Sequence, residues 1–341
     1  MATRLESVDT SSAPESTLTA MHDLYLEIDD EELPGDPPKP YRQRLVDWRH
    51  TPEFELVRHW ALWEDDRLVA TSGVEMNLEQ NLENAFCWLH VRNGDRGRGF
   101  ARTLTSPMLD LVEEQNRTRL ACEVREGSAS AALAERAGMK NAFHSLRSRL
   151  NFAELDWAVV DEWVEKAPER ASDYELIFLP PPIADEYLQS YCDVHYVMNS
   201  APLEDYERDP EVVTPAIWRA LEDFDRKRHT EFLVYVARHK PSGDFVGLTE
   251  LIYQQLNPAQ AWQADTGVHS DHREKGLGRW LKAAMLQRVR DDYPLVDRID
   301  TGNAGSNAPM LNINITLGFK PIVMNHVWQG DVATIRERLG V

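Results

Sequence analysis

Apolar residues in the second half of the chain follow two different spacings. Alternation with β-branched and aromatic residues over 232–239, 244–253 and 261–268 predicts three strands, with a Pro-Ser-Gly turn between the first two. From Gly276 onward the spacing changes to three or four residues, which predicts a helix. The apolar positions of that helix are Leu277, Leu281, Ala284, Met285 and Val289. A short strand at 298–301, a helix at 307–317 and a closing strand at 319–329 are predicted to follow.

The first half of the chain shows the same order of elements. Strands are predicted at 59–64, 67–77, 84–91 and 119–124. One helix is predicted from Gly99 onward and another up to Ala137. Pro107 is expected to interrupt the first of these helices, because proline lacks the N–H of the helical hydrogen bond.

The two halves are related by a repeat. Arg96-Gly-Arg-Gly-Phe-Ala101 and Arg273-Glu-Lys-Gly-Leu-Gly278 share the pattern Arg-x-x-Gly-x-small and start 177 residues apart. The same offset pairs Val91 with Val268, so the preceding strands stay in register. The sequence therefore predicts two copies of one α/β unit.

The domain boundaries follow from this repeat. Residues 1–18 are rich in Ser, Thr and Glu and are expected to form a flexible N-terminus. A first domain is predicted at 19–154, a linker at 155–173 and a second domain at 174–341. A length of 341 residues agrees with two cores of ordinary size.

Composition restricts the class of protein. Apolar residues make up 42% and charged residues 28%, and the N-terminus lacks the apolar segment of a signal peptide, so we expect a soluble cytoplasmic protein, monomeric or homodimeric. A net charge of −20 argues against nucleic-acid binding and weakly favours cationic substrates. The three cysteines have no metal-binding spacing, and no metal site is predicted.

The motif at Arg273 has the composition of an anion-binding turn. Gly276 and Gly278 allow backbone N–H groups to approach one anion, and the helix that begins there adds partial positive charge. A strand before and a helix after supply the context that a short motif needs. We therefore predict a diphosphate site at this turn.

These residues resemble the GNAT superfamily of acyltransferases, whose signature is (Gln/Arg)-x-x-Gly-x-(Gly/Ala) after the fourth strand. A second GNAT element, a helix with conserved spacing, is matched by Asn307, Met310, Asn314, Gly318 and Phe319. The doubled arrangement is similar to that of tandem GNAT enzymes such as mycothiol synthase. The resemblance implies two tandem α/β domains, each a central mixed, largely antiparallel sheet flanked by helices.

The resemblance also implies acetyl-CoA or another acyl-CoA as cofactor. Pantetheine would pair with the backbone near Val268, where the fourth strand splays from the fifth, and Asn307 would approach the pantetheine arm. The implied cofactor-binding residues are Val268, His269, Arg273, Glu274, Lys275, Gly276, Leu277, Gly278, Arg279, Asn307, Met310 and Asn314. His272 either lines the cofactor or lies on the surface.

The candidate catalytic residues are Glu250, Asp265 and Asn314. Glu250 lies in an apolar strand, where a carboxylate is costly unless it is used or paired, so it is a candidate base or amine anchor. Asp265 is the second candidate base. Asn314 stands where the family has the Tyr that protonates the thiolate, and an amide has no proton to give. Another group, or water, then protonates the thiolate, or the thiolate leaves unprotonated.

The first half retains the turn but lacks the chemical groups. By the offset of 177, Gly73 corresponds to Glu250. Measured back from Gly138, Gly127 and Ala134 correspond to Asn307 and Asn314. A possible second cofactor cradle consists of Val91, Arg96, Gly97, Arg98, Gly99 and Ala101. We expect this half to be a scaffold or accessory domain without catalysis.

The implied function is direct transfer of an acyl group from acyl-CoA to a primary amine of a small molecule, such as an antibiotic, amino sugar or amino-acid derivative. His195, Tyr196 and Glu204 lie where the fold shapes the acceptor pocket, although packing roles remain open for each. Two alternatives remain: a catalytically silent acyl-CoA sensor or docking protein, and a protein N-acetyltransferase.

Overall fold

The computed structural model describes residues 2–341 and divides into two compact units. The first unit consists of 2–145, 203–209 and 323–341, and the second consists of 146–202 and 210–322. The first elements in chain order are β1 (Thr3–Val8), α1 (Glu15–Glu32), α2 (Tyr41–Arg49), β2 (Glu55–Glu64), β3 (Arg67–Asn77), β4 (Asn84–Val91), α3 (Phe100–Glu114), β5 (Arg119–Arg125), α4 (Ala129–Arg136) and β6 (Lys140–Asn151). The later elements are α5 (Trp157–Arg170), β7 (Tyr174–Leu179), α6 (Asp185–His195), α7 (Pro215–Lys227), β8 (Thr230–His239), β9 (Phe245–Gln254), β10 (Gln260–Val268), α8 (Leu277–Asp292), β11 (Arg298–Ala304), α9 (Ala308–Leu317), β12 (Lys320–Asp331) and α10 (Val332–Leu339).

The first unit is built on a mixed sheet. Its strands follow the order β1-β2-β3-β4-β5-β12, and only the β4–β5 pair is parallel. Buried side chains of α3, including Leu104 and Leu109, pack with Val69 and Val74 of the sheet. This matches the period-two strands and the helix predicted for the first half.

The second unit repeats this design. Its strands follow the order β6-β11-β10-β9-β8-β7, and the β10–β11 pair is parallel whereas β7 to β10 pair antiparallel. Leu233, Leu251, Met285 and Ile299 share one core, which joins α8 to the sheet. Each unit is therefore a mixed, largely antiparallel sheet flanked by helices, as predicted.

The closing strands depart from the predicted domain boundaries. β12 was placed with the second half, but from Val323 onward it belongs to the first unit and pairs with β5. Conversely, β6 contributes its residues from Leu146 to the second unit. Sequence periodicity predicts a strand but carries no information about which sheet the strand joins.

Two segments that were predicted to lie outside the two domains are ordered parts of the units. Within the predicted flexible N-terminus, β1 pairs with β2, and Leu18 of α1 is fully buried. Within the predicted linker, Val160 of α5 is buried in the core of the second unit. Amphipathic spacing in α5 gives it an apolar face to bury, so it packs as an element of that unit.

Pro107 does not interrupt α3, which runs through it to Glu114. A proline in a helix removes one backbone hydrogen bond, and burial of the neighbouring Leu104, Met108 and Leu109 stabilises the turns on both sides. Among residues 2–341, none of the helices combines the length and apolar character that a membrane span needs.

Candidate functional site

The turn between β10 and α8 has the geometry of an anion cradle. Gly276 precedes the helix with a φ of 82°, and Glu274 has a φ of 65°, so the loop uses left-handed conformations at both positions. Apart from the adjoining residues of the loop, nothing in residues 2–341 comes within 4 Å of the position of a Cβ on Gly276, so the space over the loop is open. Backbone N–H groups at the start of α8 therefore remain available to an anion.

Three residues of the cradle have different surroundings. Arg273 donates from Nε to the Val268 carbonyl oxygen at 3.0 Å and from Nη2 to Ser200 Oγ at 3.0 Å, which holds its exposed guanidinium beside the loop. Leu277 is buried and offers only its backbone. The guanidinium of Arg279 lies over the Trp163 ring at 5.3 Å.

Two further predicted cofactor residues, His269 and Lys275, and the neighbouring His272 lie on the same loop. His269 accepts from the Asp271 N–H at 3.4 Å, and Lys275 is exposed. His272 bonds to the Tyr174 hydroxyl at 2.9 Å through Nδ1. This contact fixes the His272 ring against β7, which favours packing over a role in lining the cofactor.

β10 separates from β11 next to the cradle. The two strands pair only from Gln260 with Arg298 to Gln263 with Thr301. On its other side β10 continues in register with β9 up to Val268, after one extra residue between Gln263 and Thr266 forms a bulge. The backbone of 265–268 is therefore unpaired toward β11. This opening, the strand gap, is the splay that the resemblance implies for a pantetheine arm.

The residues of α9 face this region. Asn307 accepts the Met310 N–H at 3.4 Å and so begins the helix, which satisfies its side-chain oxygen. Asn314 is buried, accepts from Lys282 Nζ at 2.8 Å and donates to Asn303 Oδ1 at 2.7 Å. The position of the family's Tyr thus belongs to a polar chain that the sequence did not predict.

Four side chains from β9, β10 and α6 form an acidic cluster. Glu250, only 1% exposed, accepts a 2.5 Å hydrogen bond from the Tyr191 hydroxyl. His195 Nε2 lies 3.7 Å from Glu250 Oε1 and 3.5 Å from Asp265 Oδ2. The two candidate acids are therefore brought together, as expected from neighbouring strands, and His195 joins them.

Burial governs the electrostatics of this cluster. Burial, and then the negative charge of Asp265, raises the pKa of Glu250 well above its usual range, while the hydrogen bond from Tyr191 opposes that rise. Burial and the Glu250 carboxylate likewise raise the pKa of Tyr191 well above its ordinary value. Asp265 has 44% of its side chain exposed, so it faces outward while Glu250 lies behind it.

The donor atoms of His195, Glu250 and Asp265 lie within 4.8 Å of one another, a spacing that a metal ion could bridge. The sequence predicts no metal, and the histidine and both acids are equally suited to proton transfer. The next segment, a short 3-10 helix at Tyr196–Ser200, lies over β10, because a Cβ on Gly267 would come within 2.7 Å of Val197 and 2.8 Å of Met198.

Glu204 does not belong to this cluster. It lies in the first unit, where its Oε2 is 2.7 Å from His144 Nδ1. Tyr196 is 60% exposed, whereas Val197 and Met198 lie over Gly267 of β10.

The first unit keeps the backbone geometry of the cradle, but the arginines of the loop are paired with acidic side chains. Gly97 and Gly99 have φ values of 79° and 88°, and Arg96 Nε donates to the Val91 carbonyl at 3.2 Å. However, Arg96 also makes two 2.6 Å bonds to Glu31, and Arg98 pairs with Glu64. β4 pairs with β5 only over 84–86, so a similar strand gap follows.

An indole takes the place of the acids in the first unit. Trp88 stands 177 residues before Asp265, and Gly73 stands 177 before Glu250. A Cβ added to Gly73 would lie 2.2 Å from the Trp88 ring, so this side chain fills the volume over the glycine. His59 contacts the same ring edge-on, with ring centroids 5.3 Å apart. The counterpart of the acidic cluster is therefore filled with aromatic side chains.

Two mixed sheets, each with a strand gap and an Arg-x-x-Gly-x-small cradle, define a tandem GNAT fold. The chain is similar to a tandem GNAT protein from the clavulanic acid biosynthesis pathway, with a TM-score of 0.79 and 22% identity over 97% of this chain and 99% of that one. A GCN5-related N-acetyltransferase from Sphaerobacter thermophilus gives 0.69 and 16% over 96% of both chains. No family model matches the sequence, and neither does any curated protein.

A third similar structure is a GCN5-related glucosamine N-acetyltransferase region of a fungal multi-domain β-N-acetylglucosaminidase. Its TM-score is 0.68 at 10% identity, and the match covers 96% of this chain but 38% of that one. At these identities the comparisons establish the fold.

Sequence reasoning missed Tyr191, Lys282 and Trp88 as parts of the sites and left His195 between two roles. Tyr191 and His195 are four residues apart on α6, a spacing that puts them on one helix face. That spacing was available as a signal. The partner of Lys282 could not be found from sequence, because Asn314 is 32 residues away.

Proposed function

We propose that this protein is an acyl-CoA-dependent, and specifically an acetyl-CoA-dependent, N-acyltransferase whose reaction takes place in the second unit. One observation carries the proposal: the cradle, the strand gap and the acidic cluster all meet on β10. The strand gap begins after Gln263, Asp265 lies at its start, and the cradle follows Val268. An activated thioester bound along β10 would therefore have its reactive end beside the acids.

The residues present fit coenzyme A. The N–H groups at Gly276 and the start of α8 would hold the diphosphate, with the Arg273 guanidinium next to it. The unpaired backbone of 265–268 would bond the pantetheine amides, as an added strand does. When bound, the cofactor supplies an acyl group activated as a thioester.

The acidic cluster would bind and deprotonate the amine. Asp265 is the most exposed of its acids and is suited to attract the ammonium form. Glu250 is the proton acceptor, because a carboxylate with a raised pKa is a stronger base than an ordinary one. Tyr191 holds Glu250 in place, and His195 lies between the two carboxylates and links them.

The acceptor is a small molecule with a primary amine. Two acids and a net charge of −20 favour a cationic acceptor, and Val197 and Met198 over Gly267 add an apolar side to the pocket. An amine that combines a cationic head with an apolar body fits these contacts.

A screen of primary amines with acetyl-CoA tests the proposal. Release of coenzyme A is followed with a thiol-reactive dye, and the acetylated amine is identified by mass spectrometry. Amine-dependent release that is lost in Glu250→Gln supports the proposal. Tight acetyl-CoA binding without turnover on small amines or on peptides would instead identify a sensor, and turnover on peptides alone would identify a protein acetyltransferase.

A further inference from the structure

Lys282 is a buried ammonium without an ionic partner. The side chain lies on α8, is 2% exposed and forms no ion pair within the part of the chain that the structure describes. Its contacts are Asn314 Oδ1 at 2.8 Å and the Phe319 ring at 5.6 Å. Burial lowers the pKa of this lysine to about 7. A buried lysine without an ion pair is destabilised in its charged form, which makes Lys282 a candidate for a functional role.

Lys282 sets the direction of a chain of hydrogen bonds. An ammonium group can only donate, so Asn314 turns its oxygen to Lys282 and its Nδ2 to Asn303. Asn303 then accepts with Oδ1, and its own Nδ2 points away from Asn314. The outer end of the chain is therefore an N–H donor, which the positive charge of Lys282 polarises through two amides.

That outer end lies at the strand gap. Asn303 is half-buried on β11, two residues beyond Thr301, where pairing with β10 stops. Asp265, two residues beyond Gln263, is at the corresponding level of β10. A pantetheine arm held along β10 from the cradle would reach toward this level. The donor and the acidic cluster therefore face the same end of the strand gap.

We propose that Lys282, acting through Asn314 and Asn303, stabilises the sulfur of coenzyme A as a thiolate, so that the leaving group needs no proton donor. This inference rests on the proposed function. The bond between the amine nitrogen and the acyl carbon forms, the carbon–sulfur bond breaks, and its electron pair goes to sulfur. The amine proton goes to Glu250, and the thiolate takes a proton from solvent after release.

Charges at this end of the strand gap act in opposite directions. Asp265 and Glu250 are negative groups on β10 and β9 that oppose a thiolate, and His195 on α6 lies with them. Lys282 is the positive group on the α8 side, with neutral Asn314 and Asn303 from α9 and β11 in between. Lys282 is a positioning residue here, because it reaches the sulfur only through the two amides.

The test is a pH titration of bound coenzyme A. The ultraviolet absorbance of the thiolate is measured on the complex with coenzyme A, and the complex with desulfo-coenzyme A serves as the blank. In the wild type the bound thiol should ionise about 1.5 pH units or more below a free thiol, whose pKa is about 8.5, because Lys282 keeps its positive charge only up to about pH 7. In Lys282→Met the ionisation should return to the free value or above it.

Two further variants complete the experiment. Asn303→Ala removes the terminal donor at a half-buried position and should have the same effect as Lys282→Met. Lys240→Met removes an exposed lysine of the same unit, whose ammonium group donates to the Ser172 carbonyl, and the bound thiol should ionise as in the wild type.

The outcomes separate this inference from the proposed function. Equal thiol ionisation in wild type, Lys282→Met and Asn303→Ala would overturn the role of Lys282 even if turnover is normal. A failure of the wild type to bind coenzyme A would overturn the proposed function, and this inference with it.

Discussion

A buried carboxylate that is held next to a second carboxylate is the central feature at the scale of single residues. Glu250 has lost its water, and Asp265 adds a like charge, so both influences favour the protonated acid. The Tyr191 hydroxyl opposes them by donating to the ionised form. Burial and two neighbouring side chains thus act on one proton, and each of the two neighbours can be changed separately.

Replacing Glu250 with Gln keeps the shape of the side chain but removes the proton acceptor. We expect kcat to fall about 10²- to 10⁴-fold, because general base catalysis contributes that much. Coenzyme A affinity, measured by calorimetry, should remain unchanged, since Glu250 on β9 contacts Tyr191 and His195 of α6 and is not part of the cradle. A wild-type turnover across the pH range would show that Glu250 is structural.

Tyr191→Phe and Asp265→Asn should move the pH profile in opposite directions. Activity requires ionised Glu250 and is lost as the pH falls through its pKa. Tyr191→Phe removes a bond that lowers the pKa of Glu250, so the acidic limb of kcat/KM should move to higher pH. Asp265→Asn removes a charge that raises the pKa of Glu250, so the limb should move to lower pH. Shifts of the same sign would exclude Glu250 as the titrating group.

The sequence could point to a residue where the free-energy cost of burying it depended only on its own strand. Glu250 was identified because a carboxylate in an apolar strand is expensive wherever the strand lies. Trp88 was not, because its effect depends on its ring lying over Gly73 on the next strand. Tyr191 and Lys282 likewise act through partners that only the folded chain brings near.

At the scale of elements, both units keep the backbone geometry of the cradle although the side chains around it differ. Both copies place a glycine with positive φ before a helix and anchor the strand end with an arginine Nε. Strand and helix periods predicted these elements to within a few residues. These sequence periods could not show that Glu31 and Glu64 form ion pairs with the arginines of the first cradle.

A valine at Gly276 should disable the second cradle, and a valine at Gly99 serves as the matched control. Both glycines have φ near 85° and open space around the Cβ position, so the backbone strain of the two variants is alike. Gly276→Val should weaken coenzyme A binding more than about tenfold, the loss of one charge-assisted hydrogen bond or more. Gly99→Val should leave most turnover. Equal losses would indicate two working sites.

At the scale of the whole molecule, the units do not coincide with the halves of the sequence. The C-terminal residues from Val323 complete the sheet of the first unit and add α10 to its core. The repeat predicted two copies of one fold correctly. It could not predict which of the two sheets each closing strand joins, because a strand presents the same apolar face in either sheet.

Ile335→Ala tests this assignment. Ile335 is 2% exposed in the core of the first unit, so we expect a loss of about 2–5 kcal/mol in that unit's stability. Hydrogen exchange of α3 should rise, whereas coenzyme A affinity in the second unit should hold. Ile315→Ala, at a residue 67% exposed on α9, is the control and should change neither. Faster exchange in α8 with protected α3 would contradict the assignment.

The position of β12 also affects how the chain can fold on the ribosome. Apart from 203–209, the chain between Ser145 and Val323 belongs to the second unit. The N-terminal part of the first unit is therefore synthesised long before the last strand of that unit. At ~5–20 residues per second, the roughly 180 intervening residues take about 10 to 40 s to synthesise. During that interval β5 presents an unpaired edge, which is open to wrong partners. The first unit can therefore complete its sheet only after β12 has been synthesised.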